Sequence, residues 1–223
     1  MNIEGLEVNS PEYWEIRHQR DDWPRWSKWA MSLVFESIPQ GADVLEVGGG
    51  QGQAAIELRL RRPDLGRILS FDVSPTAIDK ARKIAANARA DVEFEVLDVF
   101  ELDNHIKKNT FDYAFSLQNM EHWRPELHRA SLVQTVLPVR PGGKIFITGV
   151  GKAWNLSQMN YSPMMYNGKE IQVPNDYHYN HWSEQEMYDM AVSLDNIESV
   201  RFFKRRGLER VITEISKRGH PVG

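Results

Sequence analysis

Glu46, Gly48, Gly50 and Gly52 occupy alternate positions in the run Asp43-Val-Leu-Glu-Val-Gly-Gly-Gly-Gln-Gly52. Glycines at that spacing let a chain turn sharply and bring its backbone against a ligand with no Cβ in the way, while a helix starting behind them presents free amides. A nucleotide-like ligand is the natural reading. The dinucleotide fingerprint Gly-x-Gly-x-x-Gly needs a glycine where Gln53 stands, so the pattern is Glu-x-Gly-x-Gly-x-Gly instead. Gly49 falls on a permissive position of that pattern. Two acids sharpen the reading. Asp72 lies 22 residues beyond Gly50 at the end of an apolar run, where a carboxylate accepts hydrogen bonds from both hydroxyls of a ribose. Asp98, in Val96-Leu-Asp-Val99, is placed to receive the exocyclic amine of an adenine whose faces lie against Val73 and Val99. Each acid alone is more often a solvated strand end or a helix cap; together, behind a glycine turn, they point to an adenosine site.

These residues need a frame that aligns them. Short β-rich runs at 43–47, 67–72, 92–97, 111–116 and 144–148 alternate with helical stretches at 52–62, 75–90 and 125–137, the second opened by Ser74 as cap with Pro75 behind it. Such alternation predicts an α/β fold, a mostly parallel sheet with helices on both faces. Ahead of it, Ser10-Pro11 and Asp22-Trp23-Pro24 each signal a helix start, and Trp26, Trp29, Ala30, Leu33 and Val34 make one apolar face. Behind it, Ser183-x-x-Glu186 forms a capping box, and runs at 197–204 and 208–215 flank Arg205-Arg206-Gly207 as an antiparallel hairpin. Between these parts, residues 149–182 carry no clear period yet hold Trp154, Tyr161, Tyr166, Tyr177, Tyr179 and Trp182. A segment of this kind leaving the carboxyl end of a strand reads as a lid or substrate wall, against the plainer reading of an irregular packing layer with a small helix. With no linker or repeat, we expect a single domain over 1–223: a helical cap at 1–40, a binding core at 43–148, the aromatic segment at 149–182, and a helix and hairpin at 183–223.

Composition excludes several other classes. The 223 residues carry 27 basic and 31 acidic side chains for a net charge of −4, which offers no electrostatic footprint for nucleic acid. No apolar run reaches the length of a membrane span, and Met1-Asn2-Ile3-Glu4 does not begin a secretory signal. The absence of cysteine removes disulfides and thiolate chemistry and fits a cytoplasmic protein.

The chain resembles the class I S-adenosylmethionine-dependent methyltransferases, especially small-molecule members of the type 11 and 12 groups. The resemblance rests on the glycine turn, on Phe111-Asp112-Tyr-Ala-Phe-Ser116 with Met120-Glu121-His122 after it, and on Pro141-Gly142-Gly143 read as a turn before strand five. It rests also on the opening Tyr13-Trp14-Glu15-Ile16-Arg17 and the terminal hairpin, so it spans nearly the whole length. It implies a Rossmann-like methyltransferase fold with a seven-stranded sheet, and S-adenosyl-L-methionine as cofactor. Gly48, Gly50 and Gly52 would line the methionine part and ribose, with Glu46 organising the loop. Asp72 would hold the ribose hydroxyls and Asp98 the adenine, between Val73 and Val99. Backbone from Ser116 to Gln118 would face the methionine amino group, and Arg17 its carboxylate.

Methyl transfer from a sulfonium needs alignment, exclusion of water and, for a hydroxyl acceptor, a base. His122, His178 and His181 are the candidates, because imidazole titrates near neutral pH. Some relatives bind a divalent ion through Glu-x-x-Glu-His in this loop; here Gln118 replaces the first carboxylate and removes a charge that hard cations favour, so no metal is assigned. The expected activity is methylation of a small molecule, oxygen ranked before nitrogen. A nicotinamide oxidoreductase would use the same sheet and ribose acid, but Gln53 and the terminal hairpin argue against it; a non-catalytic scaffold with the same fold is the other alternative.

Overall fold

The computed structural model describes residues 2–20, 28–150, 161–174, 182–204 and 210–219. A short antiparallel ladder, β1 (Asn2–Ile3) with β2 (Leu6–Glu7), opens the chain, a feature the helical expectation for this region did not contain. Then α1 (Pro11–Arg17) begins as expected, with the Ser10 hydroxyl accepting from the Tyr13 amide at 3.1 Å and Pro11 at the first helical position. The signal at Asp22-Trp23-Pro24 and Trp26 lie outside the described residues, but α2 (Lys28–Ser37) buries Ala30 and Val34 and packs Leu33 against the same core.

The expected alternation follows: β3 (Val44–Val47), α3 (Gln53–Arg61), β4 (Ile68–Asp72), α4 (Pro75–Ala88), β5 (Glu93–Val96), α5 (Leu102–His105), β6 (Phe111–Leu117), α6 (His128–Val136) and β7 (Val139–Val150). Beyond it come β8 (Tyr161–Tyr166), β9 (Lys169–Pro174), α7 (Glu184–Val192), β10 (Ile197–Lys204) and β11 (Arg210–Lys217). Seven strands form one sheet in the order β10-β11-β7-β6-β3-β4-β5. β3 to β7 pair in parallel, while β11 runs antiparallel to both β7 and β10. The chain leaves β3 for β4 on one side and returns to β6 on the other, so the crevice at the carboxyl ends of β3 and β6 is the topological switch point where open α/β sheets take ligands. Residues of alternate parity face opposite helices. Leu45, Leu69, Ala114, Ile145 and Ile215 share a core with Leu132 and Ala191 of α6 and α7, while Val44, Ile68, Phe115, Phe146 and Ile212 share one with α2 and α3.

Pro141-Gly142-Gly143 does not precede the fifth strand; it lies inside β7. Val139 pairs with Phe111, and Lys144 with Tyr113, so the extra residues between them form a bulge, with Gly142 at φ +80°.

The centre of 149–182, a segment without a clear period in sequence, is regular. β8 and β9 form an antiparallel hairpin closed by the pair Tyr166–Lys169, with Asn167 at φ +49° and Gly168 at +75°. Positive φ at both central residues is the requirement of a tight type I′ turn, which Asn-Gly meets. Ser162, Met164, Ile171 and Val173 point inward, and the last three join Leu6, Val8 and Tyr13 in a separate small core. The Tyr13 hydroxyl donates to the Pro174 carbonyl at 2.6 Å, fastening the hairpin to α1. At the base of the segment, Trp182 lies over Gly149, where a Cβ would come within 3.1 Å of the indole.

The glycine turn is shaped from beneath. Glu46 is buried in β3 and accepts from the Ser70 hydroxyl at 2.6 Å and from the Ala55 amide. Gly49 sits directly above this pair: a Cβ there would come within 2.6 Å of Glu46 Oε2 and overlap Ser70 Oγ. The permissive position of the sequence pattern is thus a tightly packed one, because the buried carboxyl fills the space a side chain would need. Burial pushes the Glu46 carboxyl up to about 8, with Asp72 adding to the rise and the Ser70 and Ala55 bonds opposing it.

Two predictions follow from this packing. Gly49→Ala lowers stability by about 1–3 kcal/mol, the range for overpacking, read by denaturant unfolding with unchanged slope. The Glu46 carboxyl is protonated in folded and unfolded chains below pH 4.5; from there to about 8 only the unfolded chain loses its proton, so its contribution falls as pH rises and levels off above 8. Glu46→Gln therefore gains melting temperature relative to the parent between pH 5 and 9, and a difference independent of pH would refute the assignment.

Candidate active site

A cleft opens at the switch point. Its floor is Gly48, Gly50, Phe71 and Asp72, one flank is Val73, Leu97 and Val99, and the other is Gln118, Asn119, His122 and Trp123. Asn9, Trp14 and His18 close it from the amino-terminal segment.

Asp72 is the hub of the floor. Its Oδ2 accepts the Gly50 amide at 2.9 Å and its Oδ1 the Ser74 amide at 3.0 Å, so one carboxylate fixes the glycine turn and the entry into α4. Each oxygen keeps a further lone-pair site for a hydroxyl. Gly48, at φ +68°, lets the backbone pass under Asn119; a Cβ would stand 2.5 Å from the Asn119 side chain. Val73 and Val99 lie on the same flank, at the distal end of the cleft from Gly48 and Gln118 along the strand order. Gln118 adopts φ +54°, a conformation seldom paid for without a reason, and its amide donates to Thr148 Oγ1 at 2.9 Å.

Other residues singled out from sequence stand behind the wall. Gly52, at φ +75°, is the N-cap of α3, where a Cβ would strike Phe94 and Ala81, so its glycine serves helix packing. Ser116 is buried and donates across the sheet to the Val47 carbonyl at 3.2 Å, so it holds β6 to β3 and does not line the cleft. Glu46 is covered by the turn it supports. Arg17 is buried in the last turn of α1, beside the cleft residue His18 but outside the lining. Asp98 Oδ1 accepts the Phe100 amide at 3.0 Å as cap of a short 3-10 turn, and Asp98 borders a second compartment that shares Asn9, Trp14, Val73, His122 and Trp123 with the first. His178 and His181 lie outside the described residues.

His122 lies on the 3-10 turn after β6 and borders both compartments. Its ring meets Trp14 edge to face, 4.9 Å between centroids, and its carbonyl accepts from Asn9 Nδ2 at 3.1 Å. One cleft residue, His18, escaped the sequence reading although a signal was present: it caps α1 four residues beyond Trp14, in the segment already singled out, and so shares its face. His18 is 2% exposed, and burial is the main cause that lowers its pKa, Arg17 and Lys80 acting with burial and Asp72 and Glu15 against it. Outside the cleft, His128 bridges two tryptophans: the Trp182 indole donates to its Nδ1 at 3.2 Å, and its Nε2 contacts the Trp123 carbonyl at 2.9 Å. Burial lowers its pKa, opposed by the Trp123 bond and Glu126, which suits the neutral ring that this pair of bonds requires. Among the described residues no group of three or more His, Asp or Glu is arranged to hold a metal ion.

The cleft has the acceptor pair, the apolar flank and the bare backbone that an adenosyl ligand asks for. Comparison with known proteins agrees. Residues 44–143 match the family model described as a methyltransferase domain. An O-methyltransferase of Aspergillus fumigatus is 33% identical over 66 residues, 30% of this chain and 15% of that protein, so the chain matches only a small part of this relative. A ubiquinone/menaquinone biosynthesis C-methyltransferase of Cupriavidus taiwanensis is 24% identical over 193 residues, 82% of this chain and 74% of the relative. Among solved structures, the Burkholderia thailandensis 1,6-didemethyltoxoflavin-N1-methyltransferase, with its substrate and S-adenosylhomocysteine bound, superposes with a TM-score of 0.67 at 18% identity, over 95% of this chain and 87% of that one. The family model and the sheet order fall on the same stretch of sequence, and the match to a methyltransferase domain holds for residues 44–143, a little under half of the chain.

Proposed function

We propose that this protein transfers a methyl group from S-adenosylmethionine to a small molecule, with oxygen as the first choice of acceptor atom and nitrogen the second. The observation that carries the reading is the Asp72 carboxylate, held by the Gly50 and Ser74 amides at the floor of the cleft with lone-pair sites to spare. In the proposed arrangement Asp72 takes the ribose hydroxyls, Val73 and Val99 flank the adenine, and Asp98 accepts its amine from the second compartment. Gly48, Gly50 and the backbone at Gln118 leave room for the methionine portion, and Arg17 neutralises its carboxylate from behind α1. We assign residues 149–182 to the acceptor wall.

The cofactor supplies an activated methyl on a sulfonium. The chain then has three tasks. The glycine turn and Asp72 fix the donor's position, which converts an encounter into an aligned displacement. Trp14, His18 and Asn9 cover the cleft and exclude water. His122, on the border of both compartments, accepts the proton of a hydroxyl acceptor as the new oxygen–carbon bond forms, and returns it to solvent afterwards.

Thermal unfolding with S-adenosylhomocysteine, S-adenosylmethionine and NAD in parallel tests the cofactor. At about 100 times its dissociation constant a ligand adds about 2.7 kcal/mol, a rise of several degrees for a chain of this size. A rise with the two adenosyl sulfur compounds and none with NAD is expected; the reverse would make the oxidoreductase the better reading. Asp72→Ala abolishes the rise. His122→Gln keeps S-adenosylhomocysteine affinity and lowers turnover of a hydroxyl acceptor about 100-fold or more, as loss of a general base does; unchanged turnover would remove His122 from that role.

A further inference from the structure

α1 faces two ways. Trp14 and His18 line the cleft, while Glu15, between them, reaches outward to the start of α4. Its Oε2 accepts from the Ser74 hydroxyl at 2.6 Å and from the Thr76 amide at 3.0 Å, and its Oε1 accepts from the Thr76 hydroxyl. The first amides of a helix have no partner within it, and α4 satisfies them from two sources: Ser74 Oγ takes the Ala77 amide at 3.0 Å and Glu15, from another helix, takes that of Thr76. A carboxylate at this end also meets the positive pole of the helix. Burial would raise the Glu15 pKa, but the Ser74 and Thr76 bonds, together with nearby His18, outweigh it and hold the carboxyl below its usual value, so Glu15 is charged at neutral pH.

This contact joins the ligand-binding carboxylate through a single residue. Ser74 gives its hydroxyl to Glu15 and its amide to Asp72, and Asp72 in turn holds Gly50. The chain after α1 is tied to the same region, because Lys80 Nζ donates to the Gln19 and Arg20 carbonyls at 3.1 and 3.2 Å and Gln51 Nε2 to that of Arg20 at 3.3 Å. A ligand seated between the glycine turn and the Trp14–His18 face is covered by α1, so parting of α1 from α4 opens its path. The bonds of Glu15 break in that motion, together with those of Lys80 to the Gln19 and Arg20 carbonyls.

We infer that Glu15 is a latch: a positioning residue that touches no ligand but holds Trp14 and His18 over the cofactor, and so sets the residence time of S-adenosylmethionine and of its product. The inference rests on the cofactor reading above and adds to it a control of exchange by one charge–helix contact. Glu15→Gln keeps shape and length, and loses the charge that makes these hydrogen bonds strong. Glu15→Ala loses the contact altogether.

The test is stopped-flow dissociation of S-adenosylhomocysteine from the full chain, followed by tryptophan fluorescence, at low and high sodium chloride. Glu15→Gln raises the dissociation rate about tenfold and Glu15→Ala further, with the association rate little changed. High salt accelerates release from the parent and has a smaller effect on Glu15→Gln, because the screened charge is gone. A packing role alone would leave the isosteric glutamine variant at the parent rate and insensitive to this difference, which overturns the latch. Should Glu15→Ala fail to fold, the glutamine variant decides the matter alone. Failure of the parent to bind S-adenosylhomocysteine overturns the cofactor reading and the latch with it, whereas tight binding with equal rates in parent and variants overturns the latch only.

Discussion

The whole carboxyl edge of the sheet is organised by one anion. Asp72 ends β4 and takes one amide from the turn behind β3 and another from the turn before α4. The parallel pairing of Val47 with Phe71 brings those two turns side by side, and the carboxylate holds them there. Amides gathered around an anion are already oriented when a ligand arrives, so the site loses little freedom on binding. Glu46 has the complementary place beneath the turn. It is a carboxyl without a cation, its charge suppressed by burial, and it sets the volume into which only glycine fits at position 49.

Much of this order was legible in the sequence because it is local. The strand-to-helix alternation, the Ser10, Ser74 and Ser183 caps, the capping box to Glu186 and the reversal of β11 all follow from periodicity and turn chemistry within a few residues. What escaped depends on contacts between distant parts. The resemblance implies a role for the backbone at Ser116, and it does not reveal that the side chain bonds to Val47, 69 residues away. The packed state of Gly49 comes from Ser70, on a neighbouring strand, and no pattern within the glycine run encodes it. His128 joins Trp123 to Trp182, and only the folded chain makes these neighbours.

The β8–β9 hairpin is a different kind of miss. Asn167-Gly168 between alternating residues is a strong local signal, and it was obscured by reading residues 149–182 as one segment defined by its aromatic content. The alternation of buried Ser162 and Met164 with exposed Tyr161 and Met165 separates the inner face of β8 from the outer one. The hairpin also explains why the amino-terminal residues form a roof. Leu6, Val8 and Tyr13 are too few for a core of their own, and Met164, Ile171 and Val173 complete it. The cleft is thus bounded by a sheet with large cores on both faces and by a roof with a small one. Local opening follows the smaller number of apolar contacts, so the roof is the part with the lower cost of motion.

The meeting of Gly149 with Trp182 has a consequence for how such a chain diversifies. The stretch between them departs and rejoins at one point, with the indole resting on a residue that has no side chain. Change between the two can leave the register of β7 and β11 and the start of α7 undisturbed, while Met164, Ile171 and Val173 stay fixed by their packing on Leu6, Val8 and Tyr13. On the proposed reading the sheet edge holds the donor and this stretch the acceptor, so the two halves of the site can change separately.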